Sequence, residues 1–186
     1  MTDHEVRGVW FVSAREEVLD LFGEGAFEVL VASLPARHQH TLIDADPSKW
    51  YPEDALQACL QGLRLRAAGE PTIGFGALLE RCTERGIGRF FSAVIRLTSP
   101  RFVLDRVPMM WNRIRRGSGS VSVEHEDATT TMLSYRDFPY FADPIYEELT
   151  VCSLRALVRT CTGRDPDVTV VRSTDDALDV RVVHSG

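Results

Sequence analysis

The stretch 144–162 constrains this chain more than any other. Read as a helix, it is apolar around most of its circumference, through Ile145, Leu149, Cys152, Leu154, Leu157 and Val158. Only a narrow stripe, Glu148, Arg155 and Arg159, is consistently charged. Such a helix has to be covered on two sides. Asp143-Pro144 opens it with an N-cap and a proline at the first helical position. Apolar β-type runs at 121–123 and 129–135 precede it, joined by a turn at 124–128. Two more follow at 168–171 and 177–183, joined around Thr174-Asp175-Asp176. The second half, 118–186, therefore reads β-β-α-β-β. The sheet covers one face of the helix, and the other cover has to come from the preceding half, 1–117. The expected fold is α+β: a single domain, 1–186, with an N-terminal helical layer packed on a four-stranded antiparallel sheet and a buried crossover helix.

The first half is read as a series of helices. Residues 6–12 form a short strand or a helix lead-in, and Ser13-Ala14-Arg15-Glu16 is a capping box that starts a helix over 14–22. A second helix covers 26–33, and 34–47 reads as a connector. Tyr51-Pro52-Glu53-Asp54 starts a helix with Ala55, Leu56, Cys59, Leu60 and Leu63 on one face. After Gly69-Glu70-Pro71 a helix runs over 73–85. Gly86-Ile87-Gly88 is read as a turn, and the following helix carries Phe90, Phe91, Val94, Ile95 and Leu97. Ser99-Pro100 caps a last helix, kinked or split at Pro108, with Arg115-Arg116-Gly117 at its C-terminus. Gly117-Ser118-Gly119-Ser120 links the halves.

Composition narrows the function classes. A net charge of −6 argues against binding to nucleic acid phosphates. Nearly all cations are arginine, Lys49 being the single lysine, which reads as the coding bias of a GC-rich bacterial genome. No basic and apolar leader and no membrane-length apolar run is found, so a cytoplasmic location is expected. Cys59, Cys82, Cys152 and Cys161 lack metal or redox spacing and read as reduced core thiols.

Few residues suggest chemistry. His38-Gln39-His40 and Glu124-His125-Glu126-Asp127 mix metal-ligand types but read as an exposed segment and a hairpin tip, so no metal is expected. Gly74-x-Gly76 and Gly86-x-Gly88 lack the third glycine and the preceding strand of a dinucleotide fingerprint. The run 115–120 is the best anion-binding candidate, and Ser118 within it is preceded by the wrong element for a nucleophile elbow. No nucleophile–base or paired-carboxylate pattern is present, and no catalytic residue and no enzyme is expected. Phe90, Phe91, Ile95, Met110, Trp111 and Ile114 are the bulky residues placed nearest a pocket, with Arg113 or Tyr135 at its mouth for a polar head. Phe138, Tyr140, Phe141 and Tyr146 gather at the sheet-to-helix crossing.

Trp50-Tyr51-Pro52, the run Ser99-Pro100-Arg101-Phe102-Val103-Leu104, Pro108-Met109-Met110-Trp111 and Phe138-Pro139 before a long helix carry a resemblance. The chain resembles an uncharacterised family of myxobacterial paralogues, and more remotely the superfamily of 4-vinyl reductase and haem-NO-binding domains. The resemblance implies a small apolar ligand, acyl chain or haem held between helices and sheet. The zinc and haem of those relatives do not carry over. No cysteine follows Thr162, and Ser134-Tyr135-Arg136 does not match the Tyr-x-Ser-x-Arg signature of haem-NO-binding domains. No cofactor is expected. The reading is a non-enzymatic binding or sensory module for a small apolar molecule. The alternative is a protein-interaction adaptor or homodimer with a filled core and no ligand.

Overall fold

The computed structural model describes residues 4–69, 73–95 and 98–184, with all their side chains except those of 90–95. The chain runs β1 (Glu5–Arg7), α1 (Val9–Phe22), α2 (Glu24–Ser33), α3 (Ala36–Asp44), β2 (Trp50–Pro52), α4 (Glu53–Ala68) and α5 (Phe75–Ile95). There follow α6 (Pro100–Leu104), α7 (Val107–Ile114), β3 (Arg115–Arg116), β4 (Ser120–His125) and β5 (Thr130–Arg136). A 3-10 turn (Pro139–Ala142), α8 (Pro144–Thr162), β6 (Asp167–Ser173) and β7 (Leu178–Val183) complete it.

The second half forms as expected. Its four strands make one antiparallel sheet in the order β4-β5-β7-β6. Leu133 opposes Val180, and Tyr135 opposes Leu178. These four are buried while Ser134, Asp179 and Arg181 between them are not, the period-2 pattern of a sheet with one face on a core. Helix α8 crosses that face. It packs against β6 and β7 and, more extensively, against α5, so both of its apolar sides are covered. Asp143 caps it by accepting the Ile145 N–H at 3.0 Å. Gly163 ends it in the left-handed conformation (φ 68°), where a Cβ would be strained. Phe138, Phe141 and Tyr146 are buried and stack edge-on at 5.2–5.6 Å, packing the corner between sheet and α8.

The first half departs from the sequence reading in four places. Helix α1 starts at Val9, a turn before the expected cap, because β1 hands the chain straight to it and Val9, Phe11 and Val12 all reach the core. Ser13 is thus inside the helix, and Glu16 pairs with Arg85 and Arg89 instead of closing a capping box. The expected connector contains α3, a short and mostly polar helix that buries only Leu42 and His38. His38 is consequently buried beside Asp54 (3.4 Å), not solvated, while His40 is exposed on another face of the same helix.

The glycines at 86 and 88 do not break α5. The helix is held through them by Leu78, Leu79 and Cys82 in the core and by Arg81 and Arg85, both bound to Glu17 of α1. Of the expected apolar positions beyond them, Phe90, Phe91, Val94 and Ile95 lie on α5 outside the described side chains, and Leu97 lies outside the described residues. Finally, the last helix is split near Pro108 into α6 and α7 as expected, but Arg115-Arg116 form strand β3 rather than a helix C-terminus. β3 pairs with β1, which also pairs with β2, giving a second, three-stranded sheet.

The cap of α8 supplies a test. Burial alone would raise the Asp143 carboxyl, but bonds from the Ile145 N–H and the Gln57 and Gln61 side chains outweigh it and hold it below the usual 3.8. Its contribution is therefore present above pH ~4 and fades as the pH falls through the lower, folded-state value. Asp143→Ala should cost about 1–2 kcal/mol at pH 7 in urea unfolding, and the gap to wild type should narrow at pH 3. An equal gap at both pH values would show that the carboxylate charge plays no part.

Candidate functional site: an apolar pocket beside the buried helix

Four helices and the sheet do not quite close on one another. Helix α8 turns Leu149, Thr150, Ser153, Leu154 and Leu157 toward a common space, the i, i+4, i+8 face of one stripe. Although the helix is covered on two sides, Leu149 and Leu157 do not face opposite layers but line the same pocket. Opposite α8, α7 contributes Val107, Met110, Trp111 and Ile114, and α1 contributes Val9, Trp10 and Ser13. Helix α5 adds Cys82, Thr83, Gly86 and Ile87, while β5 supplies Tyr135 and β3 Arg115. The volume of this half-open pocket is about 140 Å³. An apolar cavity of about 150 Å³ stays dry and accepts a benzene-sized molecule.

The few polar groups in the wall are mostly committed. Thr83 donates to the Leu79 carbonyl at 2.9 Å and lies 3.2 Å from the Ser153 hydroxyl. Thr150 donates to the Tyr146 carbonyl at 2.7 Å. Arg115, 8% exposed, bonds Glu53 at 3.3 Å, and its guanidinium lies 4.5 Å over the Trp111 ring. Ser13 is different: it is fully buried and its hydroxyl has no partner.

Among the described residues, no wall group is poised for nucleophilic or acid–base work. Burial pushes the Tyr135 phenol up, with only partial relief from Arg115, so it stays neutral. Burial and then the Glu17 carboxylate push the Cys82 thiol up as well. Arginines 115 and 116 are paired with Glu53 and Glu5, so the run 115–120 offers no uncompensated cation. His125 bonds Asp105 and Thr131 at the hairpin. Among the described residues no group of three or more His, Cys, Asp or Glu is placed to hold a metal.

Of the residues placed near a pocket from sequence, Met110, Trp111, Ile114 and Tyr135 lie in this wall. Arg113 does not; it is exposed, and Arg115 takes the position at the wall because the helix ends at Ile114 and the chain turns into β3. The side chains of Phe91 and Ile95 are outside those described. Sequence reasoning missed the contributions of α1 and of α5 before Gly88. Had α1 been started at Val9, the spacing Val9–Ser13 would have placed Ser13 on its inner face.

The wall makes a prediction about the thiols. Burial raises Cys59 to about 12 and Cys152 to about 11, and Cys161 is the half-buried one of the four. In native protein at pH 8 a disulfide reagent should modify Cys161 first and the other three slowly, with all four reacting in denaturant. Rapid native-state modification of Cys82 would show that water and reagent reach the pocket freely.

The fold has solved counterparts. An H-NOX protein from K. algicida in its Fe(II) unliganded form superposes with a TM-score of 0.67 at 10% identity, over 97% of each chain. An oxygen-binding H-NOX domain related to soluble guanylate cyclases gives 0.63 at 12% identity, over 95% of this chain and 94% of the other. A haem protein studied for protein-induced porphyrin distortion gives 0.63 at 11%, over 96% and 99%. No family model matches the sequence, and no curated relative does. The chain has the α+β fold of H-NOX domains.

Proposed function

We propose that this chain is a non-enzymatic binding or sensory module that holds a small apolar molecule in the pocket between α1, α5, α7, α8 and β5. The observation that carries the reading is the apolar pocket itself, open between helices and sheet in a fold whose neighbours bind ligands. The adaptor reading required a filled core at this interface.

The haem of the neighbours does not fit these residues. Iron needs an imidazole, thiolate or phenolate at the pocket. None of the five histidines, all within the described residues, is in the wall. Cys82 and Tyr135, the thiol and phenol of the wall, are packed into the core at 2% and 3% exposure. A space of about 140 Å³ takes one ring, not a four-ring macrocycle.

The wall supports uptake by shape and desolvation. Met110 supplies an adaptable thioether, and Trp111 and Tyr135, 5.5 Å apart and edge-to-face, supply flat aromatic surfaces. Gly86 keeps the space open on the α5 side, where an added Cβ would meet the Ser13 hydroxyl at 3.4 Å and Val9 at 3.7 Å.

Occupancy should quench or shift the fluorescence of the two wall indoles, Trp10 and Trp111, with the response reduced in Trp111→Phe, lost when Trp10→Phe is added, and retained in Trp50→Phe. A ligand at 100 times its Kd adds about 2.7 kcal/mol, which should raise the melting temperature by roughly 5–10 °C. Gly86→Ala should stabilise the free protein by about 0.5–1 kcal/mol through helix propensity and reduce the ligand-induced shift. Absence of any shift with single-ring aromatics, short fatty acids and isoprenoids would overturn the reading.

A further inference from the structure

We infer that the occupant is a neutral, ring-sized molecule bearing one hydrogen-bonding oxygen, and that Ser13 is the residue that selects for that oxygen. The inference rests on the proposed pocket and goes beyond it by assigning the ligand's polarity and charge.

Size comes first. A volume of about 140 Å³ takes a single six-membered ring with one to three further heavy atoms. Polarity follows from the hydroxyls in the wall. Thr83, Ser153 and Thr150 bond one another or the backbone of their own helices. Ser13 is 0% exposed and unpartnered, although a helical serine has its own i−4 carbonyl within reach. An unsatisfied buried hydroxyl costs about 1–3 kcal/mol, so an oxygen brought in by a ligand recovers free energy that no protein group supplies.

Charge is decided by Arg115. Its guanidinium is in the wall, but the buried Glu53 carboxylate neutralises it. A ligand anion would leave that region one negative charge in excess in a desolvated site. A ligand cation would find no carboxylate in the described wall, only the arginine. Both carry a desolvation cost with no compensating partner.

Four single-ring probes of one shape separate these terms: toluene, benzyl alcohol, benzoate and benzylammonium. Binding is measured by calorimetry and Trp111 fluorescence on wild type and Ser13→Ala, which removes an unpaired polar group and should fold at least as well as wild type. Toluene and benzyl alcohol should bind to wild type, and the two ions at least tenfold more weakly. Ser13→Ala should weaken benzyl alcohol relative to toluene by about fivefold, the equivalent of one net hydrogen bond of about 1 kcal/mol. An unchanged alcohol-to-toluene ratio in Ser13→Ala, or tighter binding of either ion, overturns this inference while leaving the apolar pocket standing. Failure of all four probes on wild type overturns the pocket reading itself and this inference with it.

Discussion

Glu53 joins three parts of this molecule at one buried point. Its N–H donates to the His4 carbonyl at 3.1 Å, which ties α4 to the start of β1. Its own carbonyl accepts the Tyr146 hydroxyl at 3.2 Å, which ties α4 to α8. Its carboxylate, fully buried, holds Arg115 of β3. Taking both charges out of water costs several kcal/mol per ion, and their attraction repays it only while both stay in place. Arg115 in turn lies against the Trp111 and Phe138 rings, at 4.5 and 5.4 Å, so the ion pair also fixes where α7 stops and the pocket wall begins. The two sheets and the helical layer are thus registered to one another through a point that tolerates little displacement.

A second set of charges works on the outer sides of the helices. Glu17, 4% exposed, is gripped by Arg81 and Arg85, locking α1 to α5. Arg159 reaches Glu80 and Glu84, and Arg155 reaches Glu80, locking α8 to α5. These are the charged stripe of α8 noticed in the sequence, and they explain why it exists: it faces the flank of α5 rather than water alone. With the outer flanks pinned, the inner flanks meet through small residues, Ser13, Thr83, Gly86 and Ser153, and the space between them stays open.

How much of this could be read from the chain depended on how local the cause was. Helix α8, its Asp143 cap, the β4–β5 hairpin and the order of the last two strands are set by side chains within a few residues of where they act, and all were legible. Helix α3 was not, because it is short and mostly polar and one of the two residues it buries is a histidine. The continuity of α5 through Gly86 and Gly88 was hidden because propensity there costs about 1 kcal/mol per glycine, less than the contacts α1 supplies from far along the chain. Strand β3 was hidden for the same reason: Arg116 pairs with Glu5 across nearly the whole first half. Arg113 and Arg115 were exchanged in consequence, since the side chain that reaches the pocket is decided by that distant pairing. The residues grouped from α7 and β5 needed only the amphipathic face of one helix and the inward face of one strand. The α1 and α5 walls needed the tertiary structure.

The pocket also has to be weighed against the stability it forgoes. An apolar void of about 140 Å³ costs about 3 kcal/mol relative to filled packing, a large share of the ~5–15 kcal/mol by which domains are stable. Filling it needs no new fold. An alanine at 86 would sit at ordinary contact distances, and a larger apolar side chain at 13 would remove an unpartnered hydroxyl at the same stroke. The chain instead combines an open space, a stranded hydroxyl and a glycine, Gly86, inside a helix, each destabilising alone and each at the same wall. One occupant relieves the first two together, by filling the space and bonding Ser13. Under the proposed reading, ligand affinity and the stability missing from the free protein are two measures of the same deficit. On that reading, a fold that binds haem in its counterparts would serve here as a frame for a much smaller molecule, with the frame set by Glu53, Arg115 and the outer ion pairs and the occupant by a handful of inward side chains.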